Sequence, residues 1–296
     1  MPSEIAFTAA AYPPSGQFIE VGNTRVHALV RGPEGAPTVI LLHGASGNLR
    51  DFSFDLMERL DNRYRVVAFD RPALGHTPPL HDRGESPAEQ ATVLNAAAAR
   101  LGIDRAVVVG HSFGGAVAMA WALEHPERVA GVVSLAGATM PWEGGLGPFY
   151  TLAGSTLGGV TFVPAVTALA NESIARRSIA TTFAPDPVPR GYAEHIGVGL
   201  VLQPQSIRLN ARQVRGLKPH LAAMSQRYRN LDIPVEAVHG TADTAVPLNT
   251  HSQRMVALVP GARLTELEGV GHMPHHARPE VAIAAIDRVA TRAGLR

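Results

Sequence analysis

The chain has 296 residues, 26 Lys and Arg against 25 Asp and Glu, 46% hydrophobic and 17% charged residues, and no cysteine. A globular chain of this length buries about three quarters of its unfolded surface, so it needs no disulfide or metal staple, and zero cysteine excludes disulfides, thiolate metal sites, iron–sulfur clusters and cysteine nucleophiles. The net charge of +1, with basic residues that are scattered and all Arg except Lys218, gives no electrostatic reason to expect a nucleic-acid partner.

The stretch from Met1 to Ser15 carries Glu4 and no Lys or Arg, and lacks the basic start and apolar run of a secretory signal. A cytoplasmic location is the expectation. Phe18–Val21 and Arg25–Val30, separated by Gly22-Asn23-Thr24, read as an antiparallel hairpin. Thr38–Leu42, Arg65–Phe69, Ala106–Val109, Val129–Leu135, Val235–Val238 and Arg263–Leu267 are near-continuous apolar runs and read as buried strands. Helices are expected at about Asn48–Asp61, Pro87–Leu101, Phe113–Glu124, Thr250–Leu258 and Pro279–Thr291, with Ser86-Pro87 as one N-terminal signal and Gly102 as a C-terminal stop. This alternation predicts an α/β fold: a mostly parallel eight-stranded sheet with helices on both faces.

The alternation lapses between Ala138 and about Asn230, where helix-like patches occur at Val166–Ile179, Tyr192–Leu202 and Ser206–Met224 without a convincing strand. An interval this long is no ordinary loop. The expected organisation is therefore a core of residues 1–137 and 231–296 with a helical cap, 138–230, inserted after the sixth strand. From Gly144 to Asn171 there is no charged side chain, but six glycines, Pro148 and Pro164 interrupt the run, so an apolar lid is expected rather than a membrane span.

Gly110-His111-Ser112-Phe113-Gly114 is a G-x-S-x-G string between a predicted strand and an Ala-rich predicted helix. That context places Ser112 in a sharp strand-to-helix turn, where Gly110 and Gly114 remove Cβ atoms that would collide. An ordinary Gly-rich turn with Ser as N-cap is the plain alternative. A serine nucleophile needs a base and the base an orienting acid, in the order Ser, Asp or Glu, His. Asp243 follows the seventh strand and His272 follows the last, in Gly271-His272-Met273-Pro274. Either alone reads as a loop residue, but together their order and strand-end placement point to a triad. His43-Gly44 after the third strand could expose the N–H of Ala45, which with the N–H of Phe113 would make an oxyanion hole.

These residues resemble the α/β-hydrolase fold superfamily, in particular its cap-bearing members. The resemblance rests on His43-Gly44, the Asp70-Arg71-Pro72 turn, Gly110–Gly115, Asp243 and Gly271-His272. It implies Ser112 as nucleophile, His272 as general base and then acid, Asp243 as its orienting carboxylate, and Ala45 and Phe113 as oxyanion donors. Ala73 departs from the pattern, the family often having Gly there. Epoxide hydrolases and haloalkane dehalogenases carry Asp where Ser112 stands, which argues against both. The expected function is a serine hydrolase cleaving esters of small, fairly apolar substrates through an acyl-enzyme. A carbon–carbon hydrolase of the meta-cleavage type, and a hydrolase-fold ligand-binding protein, stay open as alternatives. Met140, Trp142, Phe149 and Tyr150 are candidates to line an apolar pocket, or equally to pack cap on core. Arg176 and Arg177 could meet a substrate carboxylate, though solvated helix charges are the commoner case. No cofactor or metal is expected. The expected partner is a small-molecule substrate, with no stable membrane insertion, for a monomer or homodimer.

Overall fold

The computed structural model describes residues 5–145 and 147–296; part of the N-terminal reading, Met1 to Glu4, lies outside the described residues. The eight predicted strands form one sheet in the order β1-β2-β4-β3-β5-β6-β7-β8, with β1 (Gln17–Val21), β2 (Thr24–Arg31), β3 (Thr38–Leu42) and β4 (Arg65–Phe69). Then follow β5 (Ala106–His111), β6 (Val129–Leu135), β7 (Val235–Gly240) and β8 (Arg263–Leu267). β2 is antiparallel to β1 and β4; the pairs from β4 through β8 are parallel. Val21 opposes Thr24, so the hairpin turn is Gly22-Asn23, with Gly22 at φ 57°. β3, β5, β6 and β7 are buried at every residue, the consequence of helices covering both faces.

On the core side, α1 (Arg50–Ser53) and α2 (Leu56–Leu60) follow β3, α3 (Pro87–Arg100) follows β4, and α4 (Phe113–Glu124) follows β5. The single helix expected over Asn48–Asp61 is thus two. The chain breaks at Asp55 (φ −149°) because Phe52, Leu56, Met57 and Leu60 turn to the sheet while Phe54 points to Tyr192, His195 and His276. Ser86 caps α3 by a reciprocal box with Glu89.

Between β6 and β7 the described residues form helices and no strand: α5 (Pro148–Ala153), α6 (Thr156–Leu169), α7 (Glu172–Phe183), α8 (Tyr192–His195), α9 (Val198–Val201) and α10 (Pro204–Ser225). The patch expected at Val166–Ile179 straddles a break at Ala170-Asn171, where the Asn171 side chain accepts from the Ile174 N–H and starts a new helix. The patch at Tyr192–Leu202 is likewise divided, at Gly197 (φ 76°). The third patch is α10, which is longer than expected and tolerates Pro219 in its interior. The order closes with α11 (Ser252–Leu258), α12 (Pro274–Ala277) and α13 (Pro279–Arg292). No described helix is long and apolar enough to cross a membrane.

Ala73, where the resembled family favours glycine, adopts φ 69° and is buried. An L side chain in that region costs about 1–2 kcal/mol, part of which glycine gives back as unfolded-state entropy. Ala73→Gly is therefore expected to stabilise the chain by about 0.5–1 kcal/mol in denaturant unfolding.

Candidate active site

The carboxyl ends of the parallel strands gather the polar residues. Ser112, directly after β5, has φ 52° and ψ −118°, a left-handed backbone forced by the reversal from strand into helix. The turn is locked. The Ser112 N–H donates to the Leu135 carbonyl (3.1 Å), and its carbonyl accepts from Gly115 and Ala138 (2.9 Å each). A Cβ at Gly110 would lie 2.1 Å from the Gly114 oxygen, and one at Gly114 would lie 2.1 Å from the Leu42 oxygen. Only glycine permits so tight a meeting of strand, helix and the neighbouring strand. Ser112 is left partly exposed while its neighbours are buried.

Asp243, in the turn after β7, is surrounded by donors. Its Oδ1 accepts from the N–H groups of Ala245 and Val246 (2.9 Å each), and its Oδ2 from His272 Nδ1 (2.7 Å) and His239 Nε2 (3.1 Å). Burial pushes this carboxyl upward, but the hydrogen bonds from His239 and His272, with the nearby imidazole charge, outweigh it and hold the group well below the usual carboxylate range. An ionised Asp243 keeps the proton on His272 Nδ1 and leaves its Nε2 lone pair for the site. His239 is the residue that sequence reasoning passed over. It lies next to the end of β7, four residues before Asp243, accepts from Ser252 Oγ at Nδ1 (2.7 Å), and shares its Nε2 proton between Asp243 and the Val246 carbonyl (2.7 Å). No local signal marked it, because Glu236 is a second polar residue in the same buried strand.

The His272 loop is held from two sides. Gly271 donates its N–H to Asp186 Oδ2 (2.7 Å), and a Cβ there would be 2.2 Å from the Ala184 oxygen, so the cap rests on this loop. From below, His111 Nε2 donates to the His272 carbonyl (2.9 Å). Burial, then the charges of His275 and His272, keep His111 well below the usual imidazole range and hence neutral. Its Nδ1 has no partner among the described residues.

Asp51, His111 and His275 are the one described group whose ligand atoms come within 4.8 Å and could face a cation. Three donors already occupy the carboxylate: Tyr192 Oη (2.8 Å), His276 Nε2 (2.8 Å) and His275 Nε2 (3.1 Å). Burial raises Asp51, and His275 and His276 more than reverse that, holding it well below its ordinary range. The cluster ties α1, α8 and α12 together beneath the His272 loop.

The turn after β3 is packed against the Ser112 turn: a Cβ on Gly44 would lie 3.0 Å from both Ser112 Cβ and His111 Nδ1. Buried Arg71 fixes its carbonyls, donating from Nε to His43 O (2.8 Å) and from Nη2 to Gly44 O (2.9 Å), with its guanidinium 4.6 Å over the Phe113 ring. Burial brings this guanidinium down to about 9, still charged at neutral pH. With both carbonyls turned to Arg71, the N–H groups of Ala45 and Phe113 have no protein acceptor among the described residues. The cap adds a clamp. Asn210 of α10 accepts the Ser46 N–H at Oδ1 and donates from Nδ2 to Ser46 Oγ (2.9 Å each).

The four pocket candidates are dispersed. Tyr150 meets Ser46 by hydrogen bond, and burial raises its hydroxyl. Met140 is buried and donates its N–H to His251 Nδ1 (3.2 Å), with the Trp142 ring near the same His251 (6.2 Å). Phe149 is 38% exposed on the outside of α5. Arg176 is taken up by Glu172 (2.8 Å) and Glu194 (2.6 Å), and Arg177 is exposed.

His43 lies wholly buried, and desolvation, followed by the Arg71 charge, lowers it from 6.5 to about 4. The unfolded chain thus binds a proton near pH 6.5 that the folded chain refuses until about pH 4, so stability falls as pH drops through that window. His43 is expected to account for about 3 kcal/mol of that loss, and with the buried His111 and His251 lowered in the same direction the stability read from urea midpoints should fall from pH 7 to pH 4.5 by at least as much.

A model of the alpha/beta hydrolase fold matches residues 37–152. Haloalkane dehalogenase 2 of Mycobacterium tuberculosis is 27% identical over 293 residues, covering 94% of this chain and 96% of that one. The 2-hydroxy-6-oxononadienedioate/2-hydroxy-6-oxononatrienedioate hydrolase 2 of Pseudomonas putida is 36% identical over 119 residues, 39% of this chain and 40% of that one. Among solved structures, the 2-hydroxy-6-oxo-6-phenylhexa-2,4-dienoate hydrolase of Rhodococcus sp. strain RHA1 superposes with a TM-score of 0.78 at 21% identity, over 93% of this chain and 97% of that one. The chain has the α/β-hydrolase fold and carries a helical cap after its sixth strand. Hydrolase chemistry on small organic substrates is the activity common to this company.

Proposed function

We propose that the chain is a serine hydrolase of carboxylic esters, with Ser112 as nucleophile, His272 as general base and acid, and Asp243 as its orienting carboxylate. The observation that carries this is the Asp243–His272 bond of 2.7 Å beside a strained serine at φ 52°. We take residues 1–137 and 231–296 as the core domain and 138–230 as the cap. Ser112 Oγ attacks the ester carbonyl as His272 Nε2 takes its proton. The oxyanion is received by the N–H groups of Ala45 and Phe113, and the alcohol leaves with the proton from His272. Water, activated by His272, then attacks the acyl-enzyme and releases the acid. In this structure Ser112 Oγ and His272 make no direct hydrogen bond, a contact that tightens in the substrate complex.

The dehalogenase name does not transfer with the identity. Displacement of halide by a serine oxygen would leave an alkyl ether, which water does not cleave, whereas an aspartate leaves a hydrolysable ester. Ser112 therefore favours acyl over alkyl transfer. Carbon–carbon hydrolysis is the second reading, supported by the 36% identity to the Pseudomonas putida enzyme. It requires a proton delivered to the substrate's carbon before bond cleavage, a step beyond those that acyl transfer to Ser112 demands. Ester hydrolysis needs only the groups already named.

A fluorophosphonate probe is expected to label Ser112 stoichiometrically, and turnover on a panel of p-nitrophenyl esters, lactones and a vinylogous diketone to be greatest on the esters. Absence of both labelling and turnover would turn the reading toward a ligand-binding protein; preference for the diketone would turn it to the second reading.

A further inference from the structure

All the large apolar side chains that stand exposed among the described residues lie in one piece of the cap: Phe149 and Leu152 on α5, Leu157 and Leu169 on α6, and Ile174 on α7, with Leu157 76% and Leu169 71% exposed. Isolated exposed leucines are ordinary, but their confinement to consecutive helices makes a patch. No charged residue occurs from Gly144 to Asn171. The surroundings are cationic. Residues 138–230 hold nine Lys and Arg against four Asp and Glu, so the cap is +5 in a chain of +1. α10 has Arg208, Arg212, Arg215 and Lys218 and no acid. The stems of Arg208 and Arg215 lie against Gly159 and Gly154, and Lys218 Nζ donates to the Gly144 carbonyl (3.1 Å), so these cations border the uncharged segment itself. With Arg177, none of them forms an ion pair among the described residues.

We propose that the outer face of α5, α6 and the start of α7, bordered by the cations of α10, docks on an anionic lipid surface. Apolar side chains would enter the headgroup boundary while Arg and Lys meet lipid phosphates, the arrangement of a helix lying in the interface rather than crossing it. A second copy of this chain is the poorer occupant, because a two-fold contact through the same face would bring its unpaired cations together. The inner side of α5 reaches the site through Tyr150 and Ser46, so an ester dissolved in the bilayer would meet the protein at the helix covering its oxyanion turn.

The test is flotation of the full chain with vesicles of phosphatidylcholine containing about one third phosphatidylglycerol, against phosphatidylcholine alone. Wild type is expected to float with the anionic vesicles and to be released by salt. Arg215→Gln with Lys218→Gln should weaken partitioning about thirty-fold, and Leu157→Glu with Leu169→Glu by at least about ten-fold. The first pair replaces surface cations and serves if the second pair fails to fold. Wild type that stays with the protein fraction, variants that float as wild type does, or a dimer that Leu157→Glu dissociates would each overturn the proposal. Binding is read without turnover, so the result stands apart from whether Ser112 is a nucleophile.

Discussion

Replacing Ser112 by alanine is expected to lower kcat/KM on a p-nitrophenyl ester by about 10⁵–10⁶-fold and to abolish fluorophosphonate labelling. Alanine keeps the Cβ that sits 3.0 Å from a Cβ built on Gly44, so the turn and its oxyanion donors persist. The residual rate should therefore exceed the rate in buffer, because water attacking the bound ester still generates an oxyanion that the proposed donors at Ala45 and Phe113 stabilise. The unfolding midpoint should scarcely change, since the strained φ of 52° is retained by alanine. Wild-type rates from this variant would remove Ser112 from the chemistry.

The second large effect belongs to Asp243→Asn, expected to cost about 10⁴-fold in kcat with little change in KM. Two backbone donors, Ala245 and Val246, fix an oxygen at the Oδ1 position, so the asparagine amide nitrogen must take the place of Oδ2. There it meets His272 Nδ1 and the Nε2–H of His239. The first becomes an acceptor, which moves the remaining proton of His272 to Nε2, where it cannot take one from Ser112. The second is a donor facing a donor, so the variant should also lose stability, about 1–3 kcal/mol for the unpaired buried group. His239→Gln tests this division: it should relieve that clash without restoring activity.

Much of this arrangement can be read from residues alone, and the parts that cannot have a common cause. The central strands β3, β5, β6 and β7 are largely apolar runs, and burial on both faces leaves that mark in the sequence whatever the topology. β5 and β7 extend beyond the expected ends because His111, His239 and Gly240 continue the ladder, and propensity gives no hint of that. Asp243 and His272 stand out by their strand-end positions. His239 does not, since its role depends on the turn after β7 folding the Asp243 carboxylate back onto its ring. The α1–α2 break and the division of α7 from α6 arise from side chains seeking partners far along the chain, or from a cap such as Asn171 that is unremarkable until its acceptor role is seen. The Asn210–Ser46 pair joins residues 164 apart and leaves no local pattern at all.

Among the described residues, four that are not glycine occupy left-handed backbone: Ser46 (φ 53°), Ala73 (φ 69°), Ser112 (φ 52°) and Ala136 (φ 46°). They follow β3, β4, β5 and β6, which are adjacent in the sheet in the order β4-β3-β5-β6. Conformational strain in this molecule is thus concentrated in an arc along one edge of the central sheet, at a cost of about 1–3 kcal/mol for each residue. Variants selected for heat resistance should accumulate there first, with glycine at 73 harmless to turnover, glycine at 46 gained at the expense of the turn beside Ser112, and glycine at 112 gained only by removing the proposed nucleophile.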